Sequence, residues 1–183
     1  LARKGKKSIH SYQNTFRSAL GDSIGPAHFI DAGVTGTGYA TWLKMPKQRP
    51  ARPDDVGCIS ASPSRSWADR AAYITTRLAE DVFDNHGSAL VVIEQPTLWS
   101  GSAKSQAAAE GGNLGKMMFL IGMIAQVLQQ DGINLLLVTP NEWKGSMPKS
   151  VVITRIKRVL KGWSPRSHAA DAVGMGLSAL GML

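Results

Sequence analysis

Two short apolar runs in this chain each end in a carboxylate. "AHFIDAGV" (27–34) places Asp31 before Gly33, and "ALVVIEQP" (89–96) places Glu94 before Gln95 and Pro96. Apolar runs of this length, bounded by glycine or proline, read as strands. One that is apolar throughout belongs in the middle of a sheet covered on both faces. An ionised acid at the end of such a strand is costly unless another group compensates it. The fold must therefore bring compensating groups to those two strand ends.

The other elements follow from periodicity and punctuation. "GYATWLKM" (38–45) alternates and is rich in β formers, and the intervening "TGT" is short enough for a hairpin. The first two strands are therefore expected to be antiparallel. "KQRPARPDD" (47–55) reads as a loop and "VGCISA" (56–61) as a weak third strand. "SWADRAAYITTRLAEDVFDNHG" (66–87) reads as a helix capped by Ser66 with Asp69 and ended by Gly87. Its stripe is Trp67, Ala71, Ile74, Leu78 and Val82. Residues 102–131 read helical with a break at "GGNLG" (111–115). The part over 114–130 is apolar nearly all round, so it is buried in the domain or against another subunit. "INLLLVTP" (133–140) reads as a third central strand. "PKSVVITRIKRVLKG" (148–162) is an amphipathic basic helix with Val152, Ile156, Val159 and Leu160 inward. "SPRSHAADAVGMGLSALGML" (164–183) is a final helix with Ser167 as its cap. The order β-β-β-α-β-α-β-α-α predicts an α/β fold, a mixed five-stranded sheet with helices on both faces.

At 183 residues, 43% hydrophobic and 19% charged, the chain suits one globular domain. That domain is placed at 26–183, behind a basic, loosely structured tail at 1–25. The net charge is +8. Residues 1–20 supply Arg3, Lys4, Lys6, Lys7 and Arg17 and no acid. A second concentration over 141–166 sets Lys144, Lys149, Arg155, Lys157, Arg158, Lys161 and Arg166 against Glu142 alone. Such clustering favours a polyanion, and nucleic acid first. Cys58 is the only cysteine, which fits a reducing compartment. "MMFLIGMIAQVL" (117–128) is shorter than the ~20 residues a membrane span needs, and no apolar leader follows the basic start. The expected setting is the cytoplasm, with no membrane.

Asp171 in "HAADAVGMGL" is a third acid among apolar neighbours, and His168 lies on its side of the helix three residues earlier. Each has an ordinary reading by itself. Asp31 could form a turn, Glu94 could cap the next segment, Asp171 could bond its own helix N-terminus, and His168 could be a cap or core histidine. Together they would repel unless divalent cations joined them, and hard oxygen donors suit magnesium or manganese. "DAGVTGTG" also resembles the phosphate loop of actin-like sugar kinases and chaperone ATPases. Those close two lobes over a nucleotide, which one lobe of this size cannot do, so its glycines are assigned to the hairpin.

Taken together, "IDAGVTGTGYA", "VVIEQP", "PNEWKGSMPKSVV" and "SHAADAVGMGL" resemble the RuvC-type Holliday junction resolvases of the RNase H-like superfamily, in a phage or prophage version. The resemblance runs over roughly 27–183. It implies strand order 3-2-1-4-5 with strand 2 antiparallel. It implies that Asp31, Glu94, His168 and Asp171 are catalytic metal ligands, some members having Asp where His168 stands. Two magnesium ions, with manganese as a substitute, would activate water and stabilise the leaving 3′ oxygen, giving a 5′ phosphate and a 3′ hydroxyl. Lys144 and Lys149 match lysines near the scissile phosphate. A homodimer would present two sites to a four-way DNA junction for paired nicking, with 114–130 the candidate dimer surface. Trp99 in "TLWSGS" (97–102) is a candidate wedge, base stacking being worth ~1–3 kcal/mol. Lys104, Lys116 and Arg155 are candidate DNA contacts. Another RNase H-like nuclease acting on flap, branched or RNA–DNA hybrid substrates remains an alternative. So does a non-catalytic DNA-binding protein on the same fold.

Overall fold

The structure, a computed structural model, describes residues 2–20, 25–44, 52–96, 111–163, 165 and 168–183. Its elements are α1 (Ala2–Leu20), β1 (Ala27–Asp31), β2 (Gly36–Trp42), β3 (Asp55–Ser60), α2 (Trp67–Leu78), β4 (Leu90–Glu94), α3 (Asn113–Gln130), β5 (Asn134–Val138), α4 (Pro140–Lys144), α5 (Lys149–Val159) and α6 (His168–Ala179). A π turn, Ala79–Phe83, and a last turn, Asp84–His86, prolong α2. The sheet order is β3-β2-β1-β4-β5. β2 is antiparallel to both its neighbours, and β1, β4 and β5 are parallel. This is the expected mixed sheet. Its register pairs Asp31 with Glu94, so the two strand acids end side by side.

Helices cover both faces. Phe29, Trp42 and Val92 pack with residues of α1, α4, α5 and α6 on one side. Ile30, Val91 and Ile93 pack with α2 and α3 on the other. Small residues let α6 lie unusually close to the sheet. A Cβ at Gly176 would come within 2.2 Å of the Trp42 ring, and one at Gly38 within 2.2 Å of the His168 carbonyl carbon. The sequence context gives Gly38 to the hairpin, but its stronger constraint is the docking of α6. The turn itself is closed by Thr37, whose hydroxyl accepts the Gly33 N–H and donates to the Gly33 carbonyl.

Several expectations are corrected. The segment 1–25 is not loose throughout, because Ala2–Leu20 is a helix packed on the core. Tyr12 and Phe16 are buried, the Tyr12 hydroxyl donates to the Met175 carbonyl (3.2 Å), and the Phe16 ring stacks on Phe29 at 5.7 Å. A two-residue apolar stripe at i, i+4 suffices for docking, and the surrounding charge hid it. β5 is an edge strand, partly exposed at Leu137, rather than a central one. An apolar run alone does not separate the two. The α2 stripe holds at Ala71, Ile74, Leu78 and Val82, and Ser66 caps it with Asp69 as expected. Trp67 instead leaves the core and meets Phe119 edge-on at 5.2 Å. α3 buries Leu120, Ile121, Ile124 and Leu128 but exposes Met118 and Phe119. Residues 102–110 and Ser167 lie outside the described residues. No described helix is long and apolar enough to cross a membrane.

Candidate functional site

Three parts of the fold meet at the end of the sheet where β1 and β4 stop. The strands deliver Asp31 and Glu94. The first turn of α6 brings His168 and Asp171. α4 and the start of α5 bring Trp143, Lys144 and Lys149. His168 Nδ1 lies 2.7 Å from Asp31 Oδ2. The Lys149 ammonium donates to Asp171 Oδ2 at 2.5 Å, and the Lys144 ammonium stands 3.8 Å from Asp171 Oδ1. The Trp143 indole N–H donates to Glu94 Oε2 at 2.6 Å. A cavity of about 440 Å³ opens here, its lining including Asp31, Gly33, Asn113, Lys149, His168 and Asp171.

The electrostatics are unbalanced. Burial pushes the Glu94 carboxyl up to about 7; Asp31 and Asp171 add to the rise, and Lys144 and the Trp143 N–H oppose it. The hydrogen bond to Asp31 holds the His168 imidazole above its ordinary value against the effect of burial. Burial pulls the Lys149 ammonium down, but the Asp171 hydrogen bond, with the charges of Asp171, Asp31 and Glu94, leaves it raised. Asp171 Oδ1 is buried and accepts no hydrogen bond. Buried polar atoms without partners are few in native proteins and call for an explanation. Three carboxylates, one with an orphaned oxygen, and an imidazole are the donor chemistry of a hard divalent cation. Among the described residues no three His, Cys, Asp or Glu side chains are arranged to hold one ion together. The side chains instead meet other partners, His168 with Asp31, Lys149 with Asp171 and Trp143 with Glu94.

Neither a protein-family model nor a curated protein sequence matches the chain. Solved structures do. RuvC of T. thermophilus in complex with Holliday junction substrate superimposes with a TM-score of 0.67 at 19% identity, over 84% of this chain and 91% of that one. The yeast mitochondrial Holliday junction resolvase Ydc2 gives 0.54 at 12% identity, over 96% and 92%. The fowlpox virus resolvase in complex with Holliday junction DNA gives 0.50 at 15%, over 86% and 99%. The fold is the RuvC-type fold.

On this RuvC-type framework the structure brings together Asp31, Glu94, His168, Asp171, Lys144 and Lys149. Lys116 sits on α3 beside Met117, which lines the cavity. Arg155 lines a separate groove along α5. Trp99 and Lys104 lie outside the described residues. Trp143 was missed. It is fully buried, its ring faces the Lys144 ammonium at 4.6 Å, and its carbonyl accepts the Ser178 hydroxyl at 2.6 Å. A Cβ at Gly174 would come within 2.8 Å of that ring, so the glycine makes the notch that seats it. The available signal was a tryptophan next to a candidate catalytic lysine; its carboxylate partner lies 49 residues away.

Proposed function

We propose that this chain is a metal-dependent, structure-selective DNA endonuclease that resolves four-way junctions by paired nicking. The observation that carries the reading is the meeting of Asp31, Glu94, His168 and Asp171 with two lysines at one end of a RuvC-type sheet. The structures of T. thermophilus RuvC and the fowlpox resolvase contain Holliday junction DNA, which supports branched DNA as the substrate class.

Asp31, Glu94, His168 and Asp171 would hold magnesium, which when bound supplies a Lewis acid and lowers the pKa of attacking water. The protein's own groups do the rest. The Trp143 N–H orients the Glu94 carboxylate. Lys149, whose side chain is half exposed, can exchange Asp171 for a phosphate oxygen. Lys144, held over the Trp143 ring, adds a second positive charge beside the developing phosphorane. The products in this reading are a 5′ phosphate and a 3′ hydroxyl. Exposed Met118 and Phe119 on α3, continued by Trp67, form the surface through which two copies would pair. A two-fold dimer then offers two sites to a two-fold junction.

The test is cleavage of a synthetic four-way junction beside flap and RNA–DNA hybrid substrates, with magnesium or with EDTA. Paired, ligatable nicks in the junction alone, only with magnesium, are expected. Preference for flap or hybrid moves the chain to another RNase H-like nuclease activity. Binding without cleavage in any metal reduces it to a DNA-binding protein.

A further inference from the structure

α5 carries Lys149, Arg155, Lys157 and Arg158, with Lys161 just beyond its end, and no acid. α2 shows the ordinary arrangement, in which Arg77 pairs with both Glu80 (3.4 Å) and Asp81 (2.5 Å). Among the described residues, Lys149 alone of the α5 cations makes an ion pair. Arg155 and Arg158 are like charges at a helical neighbour spacing, which destabilise a helix. A helix that keeps such charges unpaired is suited to an external polyanion.

The geometry narrows what that polyanion does. Ser150, Val151, Thr154, Arg155 and Arg158 line one groove of about 340 Å³. They share one face of α5, turned away from the buried Val152 and Ile156. The Thr154 hydroxyl donates to the Ser150 carbonyl (2.9 Å), so the donors left to the groove are the Ser150 hydroxyl and two guanidinium groups. The groove begins one residue from Lys149, which stands in the cleft, and runs for about 12 Å at 1.5 Å per residue. Duplex DNA carries one phosphate per ~3.4 Å on each strand, so a track of this length spans about three to four base pairs. Arginine suits such a track because its fork binds phosphate oxygens in pairs.

We propose that this face of α5 is a backbone track for a duplex arm leaving the cleft. It rests on the nuclease reading and extends it from the point of cleavage to the length of arm engaged. The test is junction binding by fluorescence anisotropy in EDTA, over a salt series, with arms of about 15 or about 5 base pairs. Wild-type protein is compared with Arg155→Gln/Arg158→Gln, and with Arg77→Gln as a control of paired charge. The double variant is expected to bind the long-armed junction about tenfold or more weakly. The slope of log K against log salt should be shallower by about 2, since each phosphate contact contributes ~0.9. An arm of about 5 base pairs still covers a track of this length, so the difference between wild type and double variant should persist on short arms, while Arg77→Gln behaves as wild type. An unchanged slope and affinity in the double variant, with an unchanged melting temperature showing that it folds, overturns the track. A wild type that binds no DNA overturns the nuclease reading itself.

Discussion

β1 buries a polar side chain near each end, and the two ends behave differently. His28 is fully enclosed, with Nε2 2.8 Å from the Gly87 carbonyl and Nδ1 2.9 Å from the Thr41 hydroxyl. A carbonyl only accepts, so Nε2 carries the proton and Nδ1 accepts from Thr41. Burial pulls this imidazole down to about 4, so it stays neutral near pH 7. Everything His28 needs is supplied by the fold. Three residues on, Asp31 belongs to a group of three acids set against two lysines and a histidine, and Asp171 Oδ1 has no hydrogen bond at all. Burial is common to both ends, so it does not mark a functional site. What sets the second end apart is clustered titratable groups with an acceptor atom left without a partner.

The contrast breaks if the two ends respond alike to substitution. Asp31→Asn or Asp171→Asn should lower single-turnover junction cleavage by at least about a hundredfold. Junction binding should stay within a few fold, because it rests on phosphate contacts. The melting temperature should hold or rise as repulsion is relieved. His28→Ala should do the opposite. It strands the Thr41 hydroxyl and the Gly87 carbonyl and leaves a cavity, which costs about 2–4 kcal/mol in denaturant unfolding. Cleavage per folded molecule should be unchanged. If His28→Ala also abolishes cleavage in fully folded protein, the division between the two ends is wrong.

Smaller effects sharpen the comparison. Trp143→Phe keeps the ring and loses the N–H to Glu94. Manganese affinity measured by calorimetry should fall about tenfold, the scale of outer-shell losses at metal sites, with only a modest change in melting temperature. pH tests the same site without any substitution. The folded Glu94 carboxyl is raised from its ordinary 4.5 to about 7. Its contribution to stability is therefore complete below about pH 4.5 and is lost as pH rises through about 7. His168, also raised, acts in the same sense at higher pH than its ordinary 6.5. In EDTA the protein should lose stability between pH 5 and pH 8, a loss that Glu94→Gln reduces and magnesium reverses. A flat profile in EDTA would show that the acids are compensated without added cations.

Much of the sheet was legible because its signals are local. Apolar runs at 27–34 and 89–96, their punctuation, and the short "TGT" link specify the strands observed at Ala27–Asp31 and Leu90–Glu94 and the antiparallel hairpin. The acids stood out because charge inside an apolar run is visible without any partner. The apolar run of β5 read as a central strand, since strand burial is set by what packs on it; the resemblance, through its order 3-2-1-4-5, put that strand at the edge, where it lies. Nor was α1, whose Tyr12 and Phe16 gain their meaning only from Met175 and Phe29.

The amino-acid sequence by itself determined which residues carry the unresolved charge, because placing Asp31, Glu94 and Asp171 among apolar neighbours is a property of a few adjacent positions. Only the tertiary structure decided what answers that charge. His168 reaches Asp31 across 137 residues and Trp143 reaches Glu94 across 49. Both depend on α6 seating against the bare backbone at Gly38 and on the notch at Gly174. Contacts across such distances follow from how layers pack, and packing depends on shapes that no single segment contains.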